Sequence, residues 1–259
     1  MRLKIEAELD YSIIGTAAVL LQVEAAALSD QRLLTQDLRV TSAHPLTAVA
    51  GEDGIGQRTW ARGEGWFVAT YAAEIAIERA ALDLTGLAAT PLQALPAAAI
   101  PYLLPSRYCE VERFQNFVGS EFAGLAGGAL ASAIAAWVRQ NLTYASGSST
   151  GDTTAATTFV ERQGVCRDFA HLTVAMCRAG GLPARCVSAY APGVDPPDFH
   201  AVAEVWLADG WHIVDATGMA DCGEVARVVV GRDATDIAFM TVFGQAALNR
   251  QSVRVTRLG

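Results

Sequence analysis

The chain has 259 residues, 52% of them hydrophobic, which is enough to bury the cores of two modest globular parts. Its 27 acidic and 19 basic residues give a formal net charge of −8, which argues against a nucleic-acid partner and against an anionic membrane surface. Five irregularly spaced cysteines favour a reducing compartment over a disulfide framework, and the N-terminus does not resemble a signal peptide, so we expect a cytoplasmic protein.

The first hundred residues are predicted to form strands. In MRLKIEAELD the apolar residues alternate with charged ones, which is typical of a strand with one buried face. The pattern continues in AVLLQV, LLTQDLRV, TWARGEGWFVATY and AEIAIE, and the segment from Gly63 to Gly65 suits a hairpin turn. The alanine-rich YAAEIAIERAAL suits a helix equally well. We expect an all-β, sandwich-like domain.

A proline-rich connector follows this domain. Four prolines between residues 85 and 106 forbid a continuous helix or a central strand there. They are Pro91, Pro96, Pro101 and Pro105. We therefore divide the chain into a β-rich N-terminal domain with its connector, residues 1–105, and a second domain, residues 106–259.

The second domain combines helices with strands. Apolar residues at helical spacing make GALASAIAAWVRQNL an amphipathic helix. A second helix is predicted to begin at or near Cys166, run through RDFAHLTVAMCRA, and end at Gly180 and Gly181. Strands are predicted in ARCVSAYA, HAVAEVWL, WHIVDAT and VARVVVG, with a hairpin turn at Asp209-Gly210. The chain is thus predicted to be an α+β protein.

Cys166 is the candidate nucleophile because of its place at the mouth of a helix. Unpaired backbone N–H groups and the positive end of the helix dipole stabilise a thiolate there. Arg167 adds a neighbouring positive charge, and the small Gly164 allows close approach of another group. For any one cysteine, burial as a small apolar residue is the commoner outcome. That structural role suits the other four, Cys109, Cys177, Cys186 and Cys222.

A cysteine nucleophile needs an imidazole and a polar group that orients it. His44 lies beside a proline in a predicted surface loop, His171 lies about 140° around the helix from Cys166, and His212 has the strand position of a surface residue. His200, which opens a strand, is the remaining candidate.

Asp215 is the candidate orienting residue, although a turn cap is its common alternative role. A two-residue turn at Asp209-Gly210 pairs Glu204 with Asp215, which leaves Asp215 four residues, or about 13 Å, short of His200. Spacing alone therefore does not close the triad, and Asp198 and Glu204 remain alternatives.

Three ordered segments resemble the transglutaminase-like (transglutaminase-core) superfamily of papain-fold cysteine enzymes. They are GVCRDFAHL, LPARCVSAY and HAVAEVWLADGWHIVDAT. YLLPSRYCE and RVVVGRDATDIA resemble flanking signatures of the bacterial branch, whose members carry a β-rich N-terminal domain. The resemblance is good over residues 100–245. It implies a papain-like core in which the cysteine-bearing helix packs on an antiparallel sheet.

The resemblance implies that Cys166 is the nucleophile, His200 the general base and acid, and Asp215 the orienting residue. The family usually has tryptophan two positions after the histidine, where this chain has Val202. The second oxyanion donor is open. Tyr144 and Gln163 are candidates by position, and Glu204 is a further candidate for substrate contact.

The implied reaction is acyl transfer from an amide or peptide bond through a thioester, without a cofactor. We rank hydrolysis, as a protease or amidase, above transglutamination with an amine acceptor, and above a non-catalytic binding module. The expected partner is a peptide, protein or small amide substrate, and oligomeric state is not predicted. The cysteines and histidines lack the paired spacing of a zinc site, and no calcium-loop pattern occurs.

Overall fold

A computed structural model describes residues 1–42 and 44–258. Eleven strands occur in these residues: β1 (Arg2–Leu21), β2 (Gln31–Val40), β3 (Thr47–Ala50), β4 (Gln57–Ile77), β5 (Thr143–Tyr144), β6 (Gln163–Gly164), β7 (Ala184–Tyr190), β8 (His200–Leu207), β9 (Gly210–Val214), β10 (Ala226–Gly231) and β11 (Met240–Arg257). The α-helices are α1 (Gln115–Glu121), α2 (Gly127–Asn141), α3 (Ala155–Glu161), α4 (Cys166–Ala179) and α5 (Ala234–Ile237). The predicted α+β class is confirmed.

The strand-rich part is one antiparallel sheet in the order β11-β1-β4-β2, with β3 paired to β4. The alternation of apolar and charged residues in the first ten positions determines which face of this sheet is buried. Leu3, Ile5 and Leu9 are buried, while the charged residues between them are not. This buried face continues into the core that surrounds α4, so the sheet and the helical part share one hydrophobic core.

The C-terminal strand β11 lies in the N-terminal sheet, although the predicted division of the chain assigned it to the second domain. We assigned residues 106–259 to one domain, but β11 pairs with β1 from Leu3↔Arg257 to Leu21↔Met240. Residues 240–257 therefore complete the N-terminal sheet. Strand pairing between the two ends of a chain leaves no local signal in the sequence, so this pairing was not predicted.

The predicted hairpin turn from Gly63 to Gly65 is wrong. Both glycines lie within β4, which continues through them as one strand of 21 residues. A Cβ atom on Gly63 would lie 2.2 Å from the Ile13 side chain, so that side chain would have to move to admit one. Gly65 has φ +59° beside an irregularity in the β1–β4 register. The signal taken for a turn is therefore that of a bulged strand.

Helix α4 lies in the centre of the second part. Its residues from Asp168 to Arg178 are all buried, and it packs on β7 and β8 of an antiparallel sheet in the order β10-β7-β8-β9. Helices α1, α2 and α3 also contact α4. The cysteine-bearing helix is thus held from several sides, and its first turn has a fixed position relative to the start of β8.

A buried network of ion pairs joins the two parts. Glu204 accepts hydrogen bonds from Arg185 at 2.8 Å and from Arg227 at 3.0 Å. Arg185 also contacts Asp53 at 2.9 Å, and Arg227 pairs with Asp30. Because Asp30 and Asp53 belong to the N-terminal part, this network fixes the relative position of the two parts.

Within residues 1–42 and 44–258, no helix is both long enough and apolar enough to cross a membrane.

Candidate active site

Cys166 is the first residue of α4 and is partly exposed. Val165 precedes it in an extended conformation, and the Asp168 carboxylate accepts the Val165 N–H at 2.9 Å. This hydrogen bond closes the first turn in the manner of the Glu in a capping box. The thiol therefore lies at a well-ordered helix N-terminus, where the backbone N–H groups favour negative charge.

Gly164 and Arg167, which lie near Cys166 in the sequence, have different roles from those that the sequence predicted. A Cβ atom on Gly164 would lie 2.6 Å from the Asp168 Cβ, so this glycine leaves room for Asp168 rather than for a substrate. The Arg167 guanidinium lies 3.4 Å from the Asp168 carboxylate and donates to the Ser149 hydroxyl at 2.6 Å. The positive charge of Arg167 is thus partly balanced by Asp168.

His200 and Asp215 form a buried pair beside the thiol. His200 Nε2 lies 3.0 Å from Asp215 Oδ2, and their side chains are 0% and 1% exposed. A carboxylate can only accept, so Nε2 carries the proton and Nδ1 is the nitrogen left to exchange a proton with Cys166. Burial alone lowers the pKa of His200, but Asp215 and the adjacent Cys166 thiol raise it from 6.5 to about 10. The arrangement favours an imidazolium.

The hairpin between β8 and β9 explains how Asp215 reaches His200. The turn residues are Ala208 and Asp209, both with positive φ, so the strands pair Leu207 with Gly210 and Ala203 with Val214. The predicted turn at Asp209-Gly210 was wrong by one position. The correct register brings Asp215 two residues, or about 7 Å, closer to His200 along the strand. The chain then turns after Val214, and this turn closes the remaining distance between Asp215 and His200.

Asp215 is itself held in place by the turn that follows it. Its Oδ1 accepts the Thr217 N–H at 2.9 Å and the Thr217 hydroxyl at 2.7 Å, and its Oδ2 accepts the Ala220 N–H at 2.9 Å. Burial raises the pKa of Asp215, but the hydrogen bonds and the His200 charge outweigh burial and lower it. The turn-capping role of Asp215 and its contact with His200 therefore occur together.

The two position-based oxyanion candidates differ in their surroundings. Tyr144 lies next to Cys166, and burial together with the Cys166 and Asp198 charges raises the pKa of Tyr144 to about 12, so its hydroxyl stays protonated. Gln163 is exposed, and its side chain has no hydrogen-bond partner in the part of the chain that the structure describes. Both remain predictions as oxyanion donors.

Glu204 does not belong to the site. It lies four residues along β8 from His200 and is completely buried in the ion-pair network with Arg185 and Arg227. It failed as a candidate because its two cationic partners are distant in sequence. Asp198 lies near the site, but it accepts the Phe199 N–H at 2.7 Å and contacts Gln251.

The other histidines have other roles. His171 is buried in α4, where its Nε2 accepts the Ala234 N–H at 3.0 Å and burial lowers its pKa to about 3. His212 contacts the Leu207 carbonyl at 3.1 Å, and His44 lies in an exposed loop. Val202 packs in the small core that includes Val187, apart from the larger core around α4.

All five cysteines are free thiols. Cys109, Cys177 and Cys186 are fully buried, and Cys222 is partly exposed. Burial raises the pKa of the Cys177 thiol to about 12, which keeps it protonated and unreactive.

Sequence reasoning missed Asp168 and Ser149. The fully buried Asp168 carboxylate accepts the Ser149 hydroxyl at 2.9 Å in addition to the Val165 N–H. The position of Asp168, three residues after the N-cap, is the signal that could have found it. Ser149 lies in the polar loop before α3, and no local pattern marks it.

The thiol opens onto a cleft of about 480 Å³ between the N-terminal sheet and the second part. Leu9 and Tyr11 of β1 and Gln251 of β11 line one side, and Cys166 and Ala201 line another. Within residues 1–42 and 44–258, no three His, Cys, Asp or Glu side chains are grouped closely enough to hold a metal ion.

Comparison with known proteins connects this geometry to a family. The model of the transglutaminase-like superfamily matches residues 123–216, a span that contains Cys166, His200 and Asp215. The crystal structure of a putative cysteine protease from Cytophaga hutchinsonii has 31% sequence identity and a TM-score of 0.91. The match covers 100% of this chain and 91% of that one.

Two mycobacterial relatives match over shorter segments. An uncharacterised protein of Mycobacterium leprae is 32% identical over 114 residues, which cover 41% of this chain and 41% of the relative. An uncharacterised protein of Mycobacterium tuberculosis is 39% identical over 82 residues, which cover 28% of this chain and 26% of the relative. The matches thus span well under half the length of these curated relatives.

Proposed function

The chain belongs to the transglutaminase-like superfamily, in which catalysis is cysteine-based, and on that premise we propose a reaction. The chain hydrolyses amide or peptide bonds through a thioester on Cys166. The observation that carries the proposal is the buried His200–Asp215 pair next to a partly exposed thiol at a helix N-terminus.

The reaction follows from these positions. The Cys166 thiolate attacks the carbonyl carbon, and the Cys166 N–H at the start of α4 faces the developing oxyanion, with Tyr144 as the second donor. His200 Nδ1–H gives its proton to the leaving nitrogen, which departs as an amine or ammonia. His200 then takes a proton from water as the water oxygen attacks the thioester. An acid is released, and the thiolate and imidazolium are restored.

The first test is site-specific alkylation with iodoacetamide, followed by peptide mapping. We expect Cys166 to react much faster than the other four thiols, since a thiolate is the reactive form. Cys222→Ala is the control, because Cys222 is the other partly exposed thiol. Reaction of Cys166 at the same rate as Cys222 would contradict the proposal.

Turnover is then tested with fluorogenic peptide amides in water, with and without a primary amine. We expect hydrolysis by the wild type, none by Cys166→Ala, and little change in the unfolding of that variant. If an amine product dominated at low amine concentration, the enzyme would instead be a transglutaminase. A properly folded Cys166→Ala variant with full activity would rule out both reactions.

We also propose a reducing, cytoplasmic location. The catalytic thiol must stay reduced, and all five cysteines are free. Thiol trapping in intact cells tests this: rapid acid quenching and alkylation should find Cys166 reduced, and a mostly oxidised Cys166 would argue for another compartment.

A further inference from the structure

The cleft in front of Cys166 is lined by positive charge, although the whole chain has a negative net charge. Acidic residues outnumber basic ones by 27 to 19 in the sequence. Among the described residues that line the cleft, however, Arg107 and Arg167 are charged and none is Asp or Glu. A partly enclosed cavity with a single sign of charge concentrates ligands of the opposite sign. The cleft therefore suits an anionic substrate.

Arg107 is the cation in the cleft that remains available to a ligand. Arg167 is bound by Asp168 and Ser149. Arg107 is exposed, and its guanidinium makes no ion pair within residues 1–42 and 44–258. Many other arginines of the chain pair with a carboxylate, whereas Arg107 lines the cleft without such a partner in the described residues. Its five N–H donors match the geometry of a carboxylate.

The Arg107 side chain lies next to two stacked rings, those of Tyr108 and His171, whose positions are fixed. Its guanidinium carbon lies 5.0 Å from the centroid of the Tyr108 ring, and that ring stacks on His171 with centroids 5.1 Å apart. The Tyr108 N–H donates to Asp233 at 2.9 Å, and its hydroxyl donates to the Gly151 carbonyl at 2.8 Å. The backbone that carries Arg107 is therefore fixed beside the cleft, which reduces the entropy lost on binding.

The remaining walls of the cleft are mainly apolar. Leu9, Ile237, Phe239 and Met240 face it, and they can cover the aliphatic part of a side chain. We infer that the enzyme selects acyl substrates that carry a carboxylate next to the scissile amide, such as acidic peptides, and that Arg107 binds this carboxylate. This inference rests on the proposed acyl transfer at Cys166.

The test compares alkylation of Cys166 by iodoacetate and by iodoacetamide, two reagents with the same leaving group that differ in charge. The ratio of the two rates, divided by the same ratio for glutathione, reports how well the cleft accepts an anion. It is measured in the full-length wild type and in Arg107→Gln, Arg107→Lys and Arg62→Gln. Arg62 is a matched control because it is exposed, lies outside the cleft and has no ion pair in the described residues.

We expect Arg107→Gln to lower this ratio at least about threefold, whereas Arg107→Lys and Arg62→Gln keep most of it. Raising the salt concentration from about 20 mM to about 500 mM should lower the wild-type ratio and leave that of Arg107→Gln nearly unchanged. Peptides with Glu or Gln on either side of one scissile amide should show the same loss of discrimination in kcat/KM.

The outcomes separate the two proposals. If Cys166 reacts faster than the other thiols but Arg107→Gln leaves the ratio unchanged, the carboxylate preference is wrong and the acyl-transfer proposal stands. If Cys166 reacts no faster than the other thiols, both are wrong. Because the ratio uses one protein sample for both reagents, an error in protein concentration does not affect it.

Discussion

Replacing Asp215 by Asn should lower the pKa of His200 and shift the pH range of activity. The side chain keeps its size, and its oxygen can still accept from Thr217, but the charge 3.0 Å from His200 Nε2 is lost. A pKa raised from 6.5 to about 10 corresponds to a preference of about 5 kcal/mol for imidazolium. Coulomb's law gives about 5.5 kcal/mol for unit charges at 3.0 Å with an effective dielectric constant of about 20.

The direction of the pH effect follows from these shifts. His200 has a raised pKa, so its contribution to stability is complete below about pH 6.5 and is lost as the pH rises through about 10. Asp215 has a lowered pKa, so its contribution is present above about pH 3.8 and is lost as the pH falls below that value. The wild type should therefore exceed Asp215→Asn in unfolding free energy most clearly between about pH 4 and pH 6.5, by about 3–5 kcal/mol.

The assay is an NMR titration of the His200 ring, together with the pH dependence of peptide hydrolysis. In the wild type, the ring should stay charged to about pH 9, while in Asp215→Asn it should titrate near its ordinary value of about 6.5. The pH at which kcat/KM declines on the alkaline side should decrease together with the pKa of His200. The maximum rate should fall by about 10²–10⁴. Asp198→Asn is the matched control. An unchanged titration in Asp215→Asn, or an equal effect of Asp198→Asn, would refute the reasoning.

Three further substitutions test the supporting structure. Cys177→Ala should lower the free energy of unfolding by about 1–3 kcal/mol in urea titration without changing alkylation of Cys166, because the Cys177 thiol only fills the core. Glu204→Ala should cost about 3–5 kcal/mol in the same titration, since it removes the buried carboxylate that Arg185 and Arg227 share and leaves them only their partly exposed partners Asp53 and Asp30. Gly164→Ala should cost about 1–3 kcal/mol and slow hydrolysis by displacing Asp168, whereas Gly151→Ala, with open space around it, should do neither.

These expectations have clear contrary results. A Cys177→Ala variant that lost catalysis but kept its stability would give that thiol a chemical role. Glu204→Ala with wild-type stability and lower activity would return Glu204 to the site. Gly164→Ala with normal activity would show that the first turn of α4 can shift without harm.

Local sequence determined most of the helices and strands and identified the candidate site residues. The alternation of Leu3, Ile5 and Leu9 gave the first strand and its buried face, because a strand has a period of two whatever it pairs with. The helix that begins at Cys166 and ends near Gly180 was equally readable, since helix ends depend on residues within one turn. The order of the Cys, His and Asp segments gave the family.

Tertiary structure decided which residues meet. The turn at Ala208 and Asp209 moved the register and brought Asp215 to His200, a difference of one turn position that spacing in the sequence did not resolve. The same long-range packing removed Glu204 from the site and joined residues 240–257 to the first strand. These outcomes depend on partners that are distant along the chain, and their energies arise only when charges and apolar faces are brought together out of water.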